Sequence, residues 1–233
     1  MWSTPCGPAG AIDDSMASNL TRASMHLNSS DINALERRRR AALINSITGY
    51  KPANLVGTVN AEGVSNLAIM SSLVHIGSNP PLLALIFRPD NTERHTLDNI
   101  RETGQYTVNH VHGDIIDAAH QTAARYPGEV SEFAATGLNE LWLEGFSAPF
   151  LSQSVVRMGM EIREEIPLAI NGTHMVIGEI LTLDVPGDAI NDDGALDPSL
   201  ADSVAIAGLD SYYRSTLVQR MAYAKPEEKP RRL

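Results

Sequence analysis

Two short segments carry side chains suited to holding a phosphate. The run Ser65-Asn66-Leu67-Ala68-Ile69-Met70-Ser71-Ser72 ends an extended stretch on small polar residues. Some 20 residues later, Glu93-Arg94-His95-Thr96 falls in the expected first turn of a helix. A helix start offers unpaired N–H groups and the positive end of its dipole. Arg94 adds a forked cation and Thr96 a hydroxyl, while Ser71 and Ser72 offer hydroxyl and backbone donors. If the fold brings the segments together, they make a phosphate site. If it does not, Arg94 is a surface cation and the serines are loop residues.

The histidines give a second set. His110-Val111-His112 puts two imidazoles on one face of a strand, and His120 follows on a helix. With Asp114 or Asp117 these could ligate zinc or iron. Ordinary hydrogen-bonded histidines are the simpler reading, and no metal is assigned. His120, followed by Arg125 and Tyr126, could instead face a reacting substrate, and it is the candidate catalytic residue. Asp192-Asp193-Gly194 and Asp197 read as an acidic turn rather than a calcium loop. Tyr212-Tyr213 could be core or could cover a ligand face.

These residues need strands to position them. Leu55–Val59, Ser65–Met70, Leu82–Phe87, Tyr106–Val111, Met158–Arg163 and His174–Val185 read as extended. Asn60–Gly63, Ser78–Pro81 and Asn171-Gly172 are turns. One helix should run from a cap at Asn91 or Thr92 to about Thr103, stopped by Gly104. A second should run from Ile115, capped by Asp114, to about Arg125. A third, capped by Ser30 or Asp31, should carry Arg37-Arg38-Arg39-Arg40 as a solvated face. Trp142 reads as a packing residue. No regular β-α-β alternation or G-x-G-x-x-G after a strand occurs, which disfavours a dinucleotide-binding sheet of parallel strands. A mostly β chain, closing as an antiparallel barrel with peripheral helices, fits better.

Composition narrows the function. The 233 residues carry a formal charge of −10, which opposes binding to a nucleic-acid backbone. No apolar run approaches the roughly 20 residues that span a bilayer. The single cysteine, Cys6, cannot form an intrachain disulfide. Residues 1–24 lack both an apolar period and the pattern of a secretory signal, and read as a disordered leader. Residues 227–233 read as a loose terminus. A cytoplasmic protein is the expectation.

The chain resembles the flavin reductase-like, FMN-binding split-barrel family, in its flavoredoxin-like branch. The resemblance is carried by Asn45-Ser46-Ile47-Thr48-Gly49-Tyr50-Lys51, Ser65-Asn66-Leu67-Ala68-Ile69 and Val74-His75-Ile76-Gly77-Ser78-Asn79-Pro80-Pro81. It continues through Glu93-Arg94-His95-Thr96, Val108-Asn109-His110, Ala119-His120-Gln121-Thr122, Ser131-Glu132-Phe133 and Gly208-Leu209-Asp210-Ser211-Tyr212-Tyr213. It covers about residues 25–226 and rests on the order and spacing of these pieces.

The resemblance implies a Greek-key split barrel that forms a homodimer with FMN at the interface. Asn66 and the segment Ala68, Ile69, Met70, Ser71 and Ser72 would line the isoalloxazine and ribityl chain. Arg94 and Thr96 would hold the phosphate, with His95 adjacent. NADH or NADPH would reduce the flavin, which would pass electrons to a small-molecule acceptor or free flavin. A non-catalytic FMN-binding electron carrier or sensor is the alternative. The chain departs from more distant flavin reductases at Ile69, Asn79 and Arg94, where proline, aspartate and lysine are frequent.

Overall fold

The computed structural model describes residues 24–89 and 95–233. The chain divides into two units, residues 1–41 and 42–233. In the described part of the first, α1 (Ser29–Ala34) is capped by Asn28. Its side chain accepts the Asp31 N–H at 3.0 Å, while the Asp31 carboxylate accepts the Asn28 N–H at 3.0 Å. This reciprocal pair supplants the expected Ser30 or Asp31 cap. The single helix expected here is two. Leu35 turns extended, and α2 (Arg37–Ser46) restarts with Glu36 accepting the N–H groups of Arg38 and Arg39. Those two bonds hold the Glu36 carboxyl below the usual range.

The strands of the second unit follow the apolar runs. They are β1 (Lys51–Pro52), β2 (Asn54–Val59), β3 (Ser65–Met70), β4 (Leu73–Ser78) and β5 (Pro81–Phe87). After α3 (His95–Thr103) comes β6 (Gln105–His110). Two short helices follow, α4 (Ile116–Gln121) and α5 (Glu132–Thr136), and then β7 (Glu140–Leu141) and β8 (Phe150–Leu151). The chain continues with β9 (Arg157–Leu168), β10 (Thr173–Asp184), β11 (Val204–Ala207) and β12 (Ser211–Arg214).

Seven strands pair antiparallel in the order β3-β2-β6-β9-β10-β5-β4. The edge strands β3 and β4 are consecutive in sequence, joined only by Ser71 and Ser72. A few residues reach about 3.3–3.6 Å each. The sheet must therefore roll until its two edges nearly meet, which makes a barrel with a split between β3 and β4. This is the expected mostly β Greek-key split barrel with peripheral helices.

Strand β2 is buried throughout and separates two cores. Leu55 packs with Leu67, Val111, Phe133, Leu151 and Ile206. Val56 faces the other way, among Leu85, Leu97, Ile100, Tyr106, Met160 and Val176. Gly57 between them is required by close approach, since a Cβ there would sit 2.3 Å from the Pro149 carbonyl oxygen.

Local expectations differ from the structure in three places. Helix α4 is shorter than Ile115–Arg125 because the amides of Thr122, Ala123 and Ala124 bond three residues back, which ends the α pattern. The expected Asp114 cap is absent, and Asp114 lies instead within a 3-10 turn, Gly113–Ile115. Trp142 is 48% exposed and donates its ring N–H to Glu140, so it is not a core residue. At the C-terminus, Ala222 donates to Arg231 and Leu233 to Arg220, folding the last residues back on themselves.

Candidate functional site

Because β3 is an edge, one side of its backbone has no strand partner. Leu67 and Ile69 point their N–H groups that way. The Leu67 amide donates to Glu132 Oε2 at 3.0 Å and the Ile69 amide to Thr122 Oγ1 at 3.0 Å. Thr122 in turn donates to the Ala119 carbonyl. Side chains of the α4–α5 region thus finish the edge in place of a strand. Ser71 is next in that alternation and lies on the wall of a cleft of about 1010 Å³.

The cleft joins several segments of the second unit. Asn66, Ala68, Ile69, Met70, Ser71 and Ser72 line it from the β3 side, and His95 and Thr96 from the first turn of α3. The lining also includes Ile44, Lys51 and Leu209, and Thr122, Arg125 and Glu132. Lys51 is tied down, donating to the carbonyls of Asn45 at 2.9 Å and Gly208 at 3.2 Å. Ile44 and Leu209 are 46% and 48% exposed, so two apolar side chains of the lining stand open.

The eight described cofactor candidates therefore share one cleft, while Arg94 lies outside the described residues. Their side chains play different parts. Ser72 spends its hydroxyl proton on the Ile86 carbonyl at 2.8 Å, clasping the split. Asn66 bonds Thr96 Oγ1 at 2.9 Å and Thr58 Oγ1 at 3.3 Å, and Asn99 bonds the same Thr58 oxygen at 3.0 Å.

His120 is not on the cleft wall. Helix α4 turns Ala119 inward and leaves His120 exposed, with Nδ1 3.0 Å from the Tyr212 hydroxyl and the rings edge to face. Tyr212 packs against the Leu55 core, and the Tyr213 ring lies tilted at 55° against Tyr50. The three histidines do not converge either. His110 Nδ1 is 2.8 Å from the Ser203 hydroxyl and His112 Nε2 is 3.0 Å from the Gln153 carbonyl. Burial pulls the His110 pKa down to about 4. Among the described residues no group of three or more His, Cys, Asp or Glu could hold a metal ion.

Glu132 is the residue that sequence patterning missed. It is 6% exposed, lines the cleft and braces β3. Burial pushes its carboxyl above the usual range, opposed by the Leu67 and Glu132 amides and by the charge of His95. Nothing in the local pattern Ser131-Glu132-Phe133 marks a carboxylate that serves a strand 65 residues earlier.

Chemically, the cleft combines apolar walls at Ile69, Met70, Ile86 and Phe87 with a helix N-terminus, hydroxyls and the cations Arg88 and Arg125. It suits a ligand with a flat, polarisable body and an anionic end.

Residues 50–200 match the model of the flavin reductase like domain. A candidate flavin reductase with a split barrel domain from Shewanella frigidimarina is 48% identical. The alignment covers 86% of this chain and all of that one, with a TM-score of 0.83. Flavoredoxin of Desulfovibrio vulgaris (24% identical, 77% and 92% of the two chains, TM-score 0.63) shares the fold. So does an FMN-binding protein from Thermus thermophilus (15%, 72% and 90%, TM-score 0.61). No helix among the described residues is long and apolar enough to cross a membrane.

Proposed function

The chain belongs to the flavin reductase like domain family, and from that premise we propose that its cleft binds FMN and carries electrons from NADH or NADPH to a second acceptor. The family makes it a flavin-related oxidoreductase. The choice of FMN, the nicotinamide donor and the acceptor are our reading.

One observation carries it. The next outward position of the β3 edge, at Ser71, and the N-terminal turn of α3, at Thr96, open on the same cleft. The donor set fits FMN. The flat ring would lie against Ile69 and Met70, and the Ser71 amide would face its polar edge. The Thr96 hydroxyl would take a phosphate oxygen, with Arg94 joining it as the resemblance implies. His95 lines the cleft beside Thr96.

A bound flavin supplies the hydride chemistry, and the protein supplies position and electrostatics. Strand β3 holds the ring plane because Glu132 and Thr122 fix its outer backbone. The apolar rim of Ile44 and Leu209 excludes water when covered. A second copy of this chain in a homodimer is the proposed cover, and the cytoplasm the proposed location.

Steady-state oxidation of NADH and NADPH, with FMN and an added acceptor, tests the reaction. Turnover dependent on both FMN and protein supports it. Flavin binding without nicotinamide oxidation would replace the reductase by an electron carrier or sensor.

A further inference from the structure

We infer that Asn66 is a positioning residue that sets the direction of the Thr96 hydroxyl, so that Thr96 donates its proton into the cleft. The inference rests on the flavin reading of that cleft. It concerns how the protein tells a phosphorylated flavin from one without phosphate.

A side-chain amide nitrogen carries two protons and only donates, whereas a hydroxyl carries one proton and two acceptor sites. Asn66 Nδ2 sends one proton to Thr96 Oγ1 at 2.9 Å and the other to Thr58 Oγ1 at 3.3 Å. Both are then spent, so this nitrogen has none left for a ligand. Asn99 Nδ2 fills the second acceptor site of Thr58 Oγ1 at 3.0 Å.

Geometry locks this set. Thr58 and Asn66 are directly paired across β2 and β3. Thr96 and Asn99 are three residues apart on α3, hence on one face. Thr58 is fully buried, and Asn66, Asn99 and Thr96 are 7%, 7% and 9% exposed. The two amides therefore make acceptors of both hydroxyl oxygens. Thr58 does not reach the cleft, but Thr96 does. Its oxygen already accepts from Asn66, so the hydroxyl proton is the part of the group turned outward. A fixed donor favours an anionic oxygen and costs no reorientation when the anion arrives.

Asn66 thus acts through Thr96, and its effect should appear only for ligands bearing the phosphate. The test measures dissociation constants of FMN and riboflavin for the unaltered chain, Thr96→Val, Asn66→Ala, Asn66→Asp and the Asn66→Ala/Thr96→Val double variant. Thr96→Val should weaken FMN about 10-fold and riboflavin less than about 3-fold. Asn66→Ala should weaken FMN about 3–10-fold, and the double variant should bind FMN no more weakly than Thr96→Val alone. Asn66→Asp, which keeps the shape but accepts the Thr96 proton, should weaken FMN at least as much as Asn66→Ala and spare riboflavin. Retained riboflavin binding shows that the variants are folded. Parallel losses for both flavins, or a double variant showing the product of the two single losses, would overturn the inference. Failure of the unaltered chain to bind either flavin would overturn the flavin reading itself.

Discussion

The two edges of the seven-stranded sheet are finished in opposite ways. At β3, side chains from the α4–α5 region bond the outward amides of Leu67 and Ile69, and the first three residues of the strand are buried. At β4, Val74 and Ile76 are 50% and 45% exposed and the strand is bordered only by β5. Both edges belong to one barrel and lie two residues apart in sequence. The difference teaches where a ligand can enter. An edge covered by side chains at Leu67 and Ile69 runs on, past the end of the strand, into Ser71 on the wall of a cleft. An edge left open along its whole length offers only a template for another strand.

If β3 is braced and β4 is not, equal changes should cost unequal amounts. Gly57→Ala, beside the braced edge, drives a methyl against the Pro149 carbonyl and should destabilise by about 2–3 kcal/mol in denaturant unfolding. Gly77→Ala in β4, where the nearest atom would be 3.6 Å away, should stay within about 0.5 kcal/mol. Comparable losses at both positions would dissolve the contrast.

A second pair probes the brace itself. Glu132→Ala leaves the Leu67 amide without its acceptor, which should cost about 1–3 kcal/mol. Glu132→Gln keeps an acceptor oxygen and removes a buried charge. The folded carboxyl is raised by burial, so its charged form is penalised at pH 7, and the glutamine variant should unfold no earlier than the parent. A glutamine variant as unstable as the alanine variant would mean that the charge itself holds the edge.

Behind β3 and β2, the end of β6 sets a pH dependence. His110 has a folded pKa of about 4 against 6.5 unfolded. The unfolded chain takes up the proton first, so stability is full above pH 6.5 and falls as pH drops towards 4. The loss is at most about 3 kcal/mol. Unfolding midpoints of the parent and His110→Gln between pH 7 and 4 should diverge, with the variant flatter. The smallest effect belongs to the open edge, where Val74→Lys or Ile76→Lys should shift the unfolding free energy of one chain by less than about 0.5 kcal/mol.

How far these features were legible in the sequence depends on their range. The bounds of β3, the Asn171-Gly172 turn and the Gly104 helix stop follow from neighbouring residues alone, and each is where the pattern put it. So is the convergence of Asn66, Ser71 and Thr96 on one cleft, although there the family resemblance carried the expectation. The braces were not legible. Glu132 and Thr122 reach residues 65 and 53 positions away, and no local period encodes such a bond. The surroundings of His120 were not legible for a related reason. Its helix spacing is sound, but the face that packs inward is chosen by Ala119 and Thr122, which the barrel buries instead.

The central claim is that the released end of the β3 edge and the start of α3 form one flavin site. Equilibrium titration of the purified chain with FMN, followed by the flavin absorption band, addresses it most directly. A single flavin site gives a saturable spectral change at one FMN per chain, competed by riboflavin and weakened by Thr96→Val. No spectral change at FMN concentrations up to the millimolar range would contradict it.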